Sequence, residues 1–80
     1  MTREEVFSQL SDIFADAFDR NDLIIEETTV AGDIEGWDSL MQMNLIEIIE
    51  GDFDICFELE EVMNMKDVGH MVDLILAKVS

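Results

Sequence analysis

The sequence predicts an all-α domain, and three observations carry that prediction. Apolar residues recur at three- and four-residue steps through most of the chain. There is no proline and there are only four glycines in 80 residues, too few breakers for the many turns of a β-sandwich. Apolar residues make up 49% of the chain, enough for a packed core and too many for wholesale disorder. A chain of this length is read as one small domain, residues 1–80, of modest stability.

The first helix is expected from about Arg3 to Phe18. Thr2 and Glu5 have the spacing of a capping box, with Thr2 as N-cap. Val6, Leu10, Ile13, Phe14, Ala17 and Phe18 then form one apolar face, with Phe7 beside it. A long connection follows, from Asp19 to Asp38. Leu23, Ile24 and Ile25 are its candidate anchors to a core. Glu26, Glu27, Thr28, Thr29, Gly32 and Asp33 break any helical pattern. Loops this long in small domains often carry function. The pattern leaves room for a short helical turn at no definite place.

A second helix is expected from Ser39 to about Glu50. Ser39 and Gln42 have capping-box spacing, and Leu40, Met43, Ile46 and Ile49 form a stripe with Leu45 beside it. Met41 and Ile48 fall off that stripe and are expected at the surface. Gly51 is the expected C′ residue. Phe53, Ile55 and Phe57 alternate with Asp54 and Cys56, which suggests an extended stretch. A short third helix is expected over Glu58–Met65, with Leu59, Val62 and Met65 inward. Asp67 is the expected N-cap of a last helix whose stripe is Val68, Met71, Val72, Ile75 and Val79. The chain has no internal repeat and no low-complexity tract.

Charge narrows the partners. Twenty Asp and Glu face four Lys and Arg, a net of −16. Such a surface repels phosphate backbones, so nucleic acid is not an expected partner. Anionic membrane is not an expected partner either, by the same repulsion, and no apolar run approaches spanning length, so stable membrane insertion is not expected. Basic protein surfaces and divalent cations are the natural counterparts. The single cysteine, Cys56, cannot form an internal disulfide and fits a reducing cytoplasm. The first residues, Met1 to Glu5, do not read as a signal peptide. Asp52-x-Asp54 opens like a calcium loop but fails at Cys56 and Phe57, so no metal site is expected. Cys56 and His70 lack an orienting third group, so catalysis is not expected either. His70 is read on the exposed side of the last helix, and Trp37 as a pin between loop and bundle.

One stretch stands out, Gly36-Trp37-Asp38-Ser39-Leu40, at the junction of the long loop and the second helix. Asp38-Ser39 alone reads as a helix cap. Its surroundings say more. Asp33-Ile34 precedes it, Glu50-x-x-Phe53 and Phe57 follow it, and a Val68-x-x-Met71-Val72-Asp73 helix start closes the set. This ordered set resembles the acyl carrier protein family, with its peptidyl and aminoacyl relatives, over about Thr29 to Ile75.

The resemblance implies a four-helix bundle with a long first loop and a short third helix. It implies that Ser39 carries 4′-phosphopantetheine through a phosphodiester, with the group taken from coenzyme A. The distal thiol would then hold acyl or aminoacyl groups as thioesters. Asp38 and Leu40 complete the motif, and Asp38 is implied in recognition by the phosphopantetheinyl transferase. The other implied partners are a loading enzyme and a downstream synthase or transferase. The protein itself would be a non-catalytic, monomeric, cytoplasmic carrier in a fatty-acid, polyketide or peptide pathway. Partners in the family read the second helix, here through Met41, Asn44, Glu47, Ile48 and Glu50. Met41 and Asn44 stand where acids are common, Glu47 where an apolar residue is common, and Glu58 where proline is frequent. A dedicated partner reading Met41 and Ile48 is therefore expected. A helix N-terminus, with unpaired N–H groups and partial positive charge, suits a phosphodiester. The expected core is Leu45, Ile46, Ile49, Phe53, Phe57, Val62, Met65 and Val72; in many members of the family such a core also opens to shelter the acyl chain, and Met63, Met65 and Met71 are pliable side chains that would ease it. Two rival readings are an unmodified acidic interaction module, with Ser39 only an N-cap, and a helical cation binder.

Overall fold

The computed structural model describes residues 1–20 and 22–79. Helix α1 spans Arg3–Ala17, α2 spans Ser39–Phe53, α3 spans Leu59–Met63 and α4 spans Val68–Val79. A 3-10 turn, Ala31–Asp33, sits in the long first loop. Among the described residues there is no strand. No helix of the described residues is long and apolar enough to cross a membrane.

Helix α1 starts as its sequence dictates. Thr2 Oγ1 accepts from the Glu5 amide at 3.1 Å, and the Glu5 carboxylate accepts from the Thr2 amide at 2.9 Å. These bonds hold the Glu5 carboxyl below the usual carboxylate range, the Thr2 amide contributing most. Val6, Leu10, Ile13 and Phe14 are buried and pack α1 against both α2 and α4. Helix α4 contributes Val68, Met71, Val72 and Ile75 to the same core. Asp67 caps it, accepting from the His70 amide at 2.8 Å. His70 is half-buried rather than on the exposed side.

Helix α2 differs from its expected form in three ways. Its N-cap is Asp38, whose carboxylate accepts from the Met41 amide at 2.9 Å. The expected box between Ser39 and Gln42 does not form, because the Gln42 side chain accepts from the Trp37 indole N–H instead. The helix also runs through Gly51 to Phe53. Phe53 is two turns beyond Leu45, on the same face, and burying it yields about 1.5–3 kcal/mol. A helical glycine costs about 1 kcal/mol, so burial wins. The helix ends at Asp54, in the left-handed conformation at φ 55, and the Ile55 amide donates back to the Glu50 carbonyl at 3.1 Å. Finally, the buried stripe is Leu45, Ile46, Ile49 and Phe53. Met41 and Ile48 are half-buried against it, whereas Leu40 and Met43 face solvent. Gly51 has open space around it. Gly51→Ala is expected to stabilise the fold by about 0.5–1 kcal/mol. A shift of the urea midpoint to lower concentration would refute this.

The long loop is tied down at several points. Residues 23–25 alternate, with Leu23 half-buried, Ile24 82% exposed and Ile25 buried, as an extended chain requires. Ile24 is therefore no anchor. The Thr29 and Glu27 carbonyls accept from the Val68 and Gly69 amides at 3.0 and 2.8 Å. Gly69 permits that approach, since a Cβ there would lie 3.0 Å from the Glu27 carbonyl oxygen. Arg3 reaches over from α1 to Glu27 of the loop and Asp73 of α4.

Helix α3 is shorter than expected. Val62 and Met65 turn inward, half-buried, but Leu59 in its first turn is 67% exposed. Glu61 fastens it. Its carboxylate accepts from the Glu58 amide at 2.9 Å and pairs with Lys78 of α4 at 2.9 Å. Both interactions hold that carboxyl below the usual range, the amide more than the lysine. Ile55 and Phe57 turn half-inward and Cys56 outward, as the alternation implied.

Candidate functional site

The junction of loop and α2 is built by a short chain of contacts. Ile34 is buried and anchors the segment. Gly36 adopts φ 89, a conformation that favours glycine, and turns the chain toward the helix. Trp37 then lies edge-on to Phe14 of α1, with centroids 5.2 Å apart, and beside Phe18. Its indole N–H donates to Gln42 Oε1 at 2.8 Å, and the Gln42 amide group points to the Met65 sulfur at 3.6 Å. Trp37 thus pins the loop to α1 and α2, and Gln42 extends the link to Met65 beyond α3.

Ser39 is the first residue of α2 and is exposed. Asp38 takes the capping role, so the Ser39 hydroxyl makes no hydrogen bond among the described residues. The Ser39 and Leu40 amides, at the positive end of the helix, also have no acceptor among the described residues. Ser39 opens onto a groove of about 460 Å³ lined mostly by apolar side chains, including Trp37, Met43, Val62, Met63 and Met65.

The remaining expected residues divide. Asn44 and Glu47 are exposed on α2, and Leu40 is 80% exposed. Met41 and Ile48 are half-buried, contrary to expectation, because the core stripe lies on their side of the helix. Glu50 is half-buried and accepts from the Phe57 amide at 2.7 Å, which commits it to the fold. Cys56 is exposed and free. Among the described residues no His, Cys, Asp or Glu cluster is placed to hold a metal.

A family model described as "Phosphopantetheine attachment site" matches residues 8–75. The fold is similar to the solution NMR structure of holo acyl carrier protein from Geobacter metallireducens. The two are 38% identical, with 92% of this chain and 85% of that chain covered and a TM-score of 0.87. The chain belongs to the acyl carrier protein family. No curated protein sequence matches it. As an acyl carrier protein it is a carrier and not a catalyst, and its prosthetic group is covalently attached phosphopantetheine. The start of α2 fits such a group, because an uncommitted hydroxyl stands beside unpaired amides at a helix N-terminus.

Two features of the site were missed in the sequence. One is the Trp37–Gln42 bond, for which five-residue spacing gives no signal. The other is the groove, which assembles residues of α2 with residues 62–67 and has no local pattern.

Proposed function

We propose that this acyl carrier protein bears its phosphopantetheine on Ser39 and shuttles acyl or aminoacyl groups between biosynthetic enzymes. The observation that carries the reading is the exposed, unbonded Ser39 hydroxyl at the first position of α2, beside an apolar groove. When bound, the arm supplies a terminal thiol that holds cargo as a thioester. The chain's own residues do the rest. Asp38 holds the first turn in place, Trp37 fixes the loop, and the α2 amides face the phosphate position. A phosphopantetheinyl transferase would supply the base for the attachment, since the carboxylate beside Ser39, that of Asp38, is engaged by the Met41 amide. In that step the Ser39 oxygen bonds to the phosphorus of coenzyme A that bears the pantetheine, and the nucleotide portion leaves.

The test is intact mass after incubation with coenzyme A, magnesium and a phosphopantetheinyl transferase. One phosphopantetheine gained by the wild type, and none by Ser39→Ala, supports the assignment. No gain on the wild type with several transferases would overturn it.

Partner enzymes are proposed to read the outer face of α2. That face presents Leu40, Met43, Asn44 and Glu47, with Met41 reachable at its edge. Leu40→Glu is expected to weaken binding to a cognate partner about tenfold, which matches the roughly 1.4 kcal/mol of a lost apolar contact. Equal affinity, measured by calorimetry, would remove Leu40 from the interface.

A further inference from the structure

We propose that Lys66 positions the prosthetic arm by pairing with the phosphodiester on Ser39. The inference rests on the Ser39 assignment above. Among the described residues, the charged ones that line the groove onto which Ser39 opens are Asp38, Lys66 and Asp67. Two of them are already engaged. Asp38 accepts from the Met41 amide and Asp67 from the His70 amide, each capping a helix. Lys66 is different.

The chain has four basic residues. Arg3 pairs with Glu27 and Asp73, Arg20 with Asp22 at 3.7 Å, and Lys78 with Glu61 at 2.9 Å. Lys66 makes no ion pair among the described residues, although the chain carries twenty carboxylates. Its two chain neighbours are engaged through their side chains. Met65 receives the Gln42 amide group on its sulfur, and Asp67 caps α4. The lysine therefore lies between two engaged residues, lines the groove that Ser39 shares and has its ammonium uncommitted. A phosphodiester on Ser39 brings a permanent negative charge to that groove. A compact ammonium on a flexible stem can follow it without a fixed bidentate geometry. Exposed ion pairs are weak and screened by salt. Lys66 thus sets where the arm rests, and attachment itself does not depend on it.

The experiment uses holo protein made from the wild type, Lys66→Ala and Lys66→Arg, with attachment checked by intact mass. The readouts are the phosphorus NMR resonance of the phosphodiester and the indole N–H resonance of Trp37, which lines the same groove. All three proteins are expected to accept the arm. At low salt the wild type and Lys66→Arg should share a phosphorus resonance that Lys66→Ala shifts. Molar salt should move the wild type to the position of the alanine variant, and the Trp37 resonance should follow. Complete attachment with identical resonances in wild type and Lys66→Ala would overturn the role of Lys66 and leave Ser39 in place. Failure of Lys66→Ala alone to accept the arm would place Lys66 in transferase recognition, and would also overturn it. No attachment to the wild type would overturn both assignments together.

Discussion

Ser39→Ala is expected to abolish phosphopantetheine attachment while leaving the fold intact. The hydroxyl is the only atom of this side chain with chemistry to offer, and alanine removes it. Nothing in the fold depends on it, because the cap of α2 is the Asp38 carboxylate. The stability change should therefore stay within about 0.5 kcal/mol, as for other surface substitutions. Asp38→Ala provides the contrast. It removes the acceptor of the Met41 amide and should cost about 0.5–2 kcal/mol, the usual loss for an N-cap. Urea denaturation separates the two. If Ser39→Ala lost as much as Asp38→Ala, the serine would be a structural cap and the reading of it as an uncommitted nucleophile would fall. If both were neutral, the capping geometry at α2 would be wrong.

Phe14→Ala should be the most damaging single change. Phe14 is fully buried, and truncating a buried phenylalanine costs about 3–5 kcal/mol. Small domains have only about 5–15 kcal/mol in total, so the variant should be partly unfolded at room temperature or close to it. The damage also reaches the site. Phe14 is the surface on which Trp37 rests, and Trp37 holds Gln42 by its indole N–H. The emission of Trp37, the single tryptophan, should shift to the red even under conditions where helical content persists. A loss below about 1 kcal/mol with unchanged emission would mean that the loop is held chiefly by its other contacts.

How much of this was legible depended on how local the deciding interaction was. Helices α1 and α4 were read closely, because Thr2 with Glu5, and Asp67, are caps written within three residues of the amides they serve. The start of α2 was placed correctly at Ser39 but credited to the wrong cap. Asp38 and Ser39 both suit the role, and Gln42 three residues on favoured Ser39. The bond from Trp37 to Gln42 decided otherwise, and it depends on Phe14, far back in α1. The end of α2 was set too early by Gly51, whose cost was outweighed by burial of Phe53. Leu40 and Met43 were placed in the core because the stripe was counted from the first helical residue rather than from Leu45. The role expected of the serine rests on the spacing of the surrounding motif alone, since Asp-Ser-Leu is common. The groove and Lys66 were not legible, because residues 62–67 meet α2 only after the bundle has closed.

The bonds from Thr29 and Glu27 to the first amides of α4 have a consequence for the order of folding. A helix begins with amides that its own carbonyls cannot serve, and most helices leave them to water or to a side chain. Here two of them are served by backbone from the other half of the chain. The entry of α4 and the docking of loop residues 27–29 are therefore one event. Closing a loop of that length must come before any return on its entropic cost. Helices α1 and α2 can associate early, whereas the frame around the loop–α2 junction is completed last, when the C-terminal segment arrives. For a nascent chain, that frame is complete only once the final helix has been made.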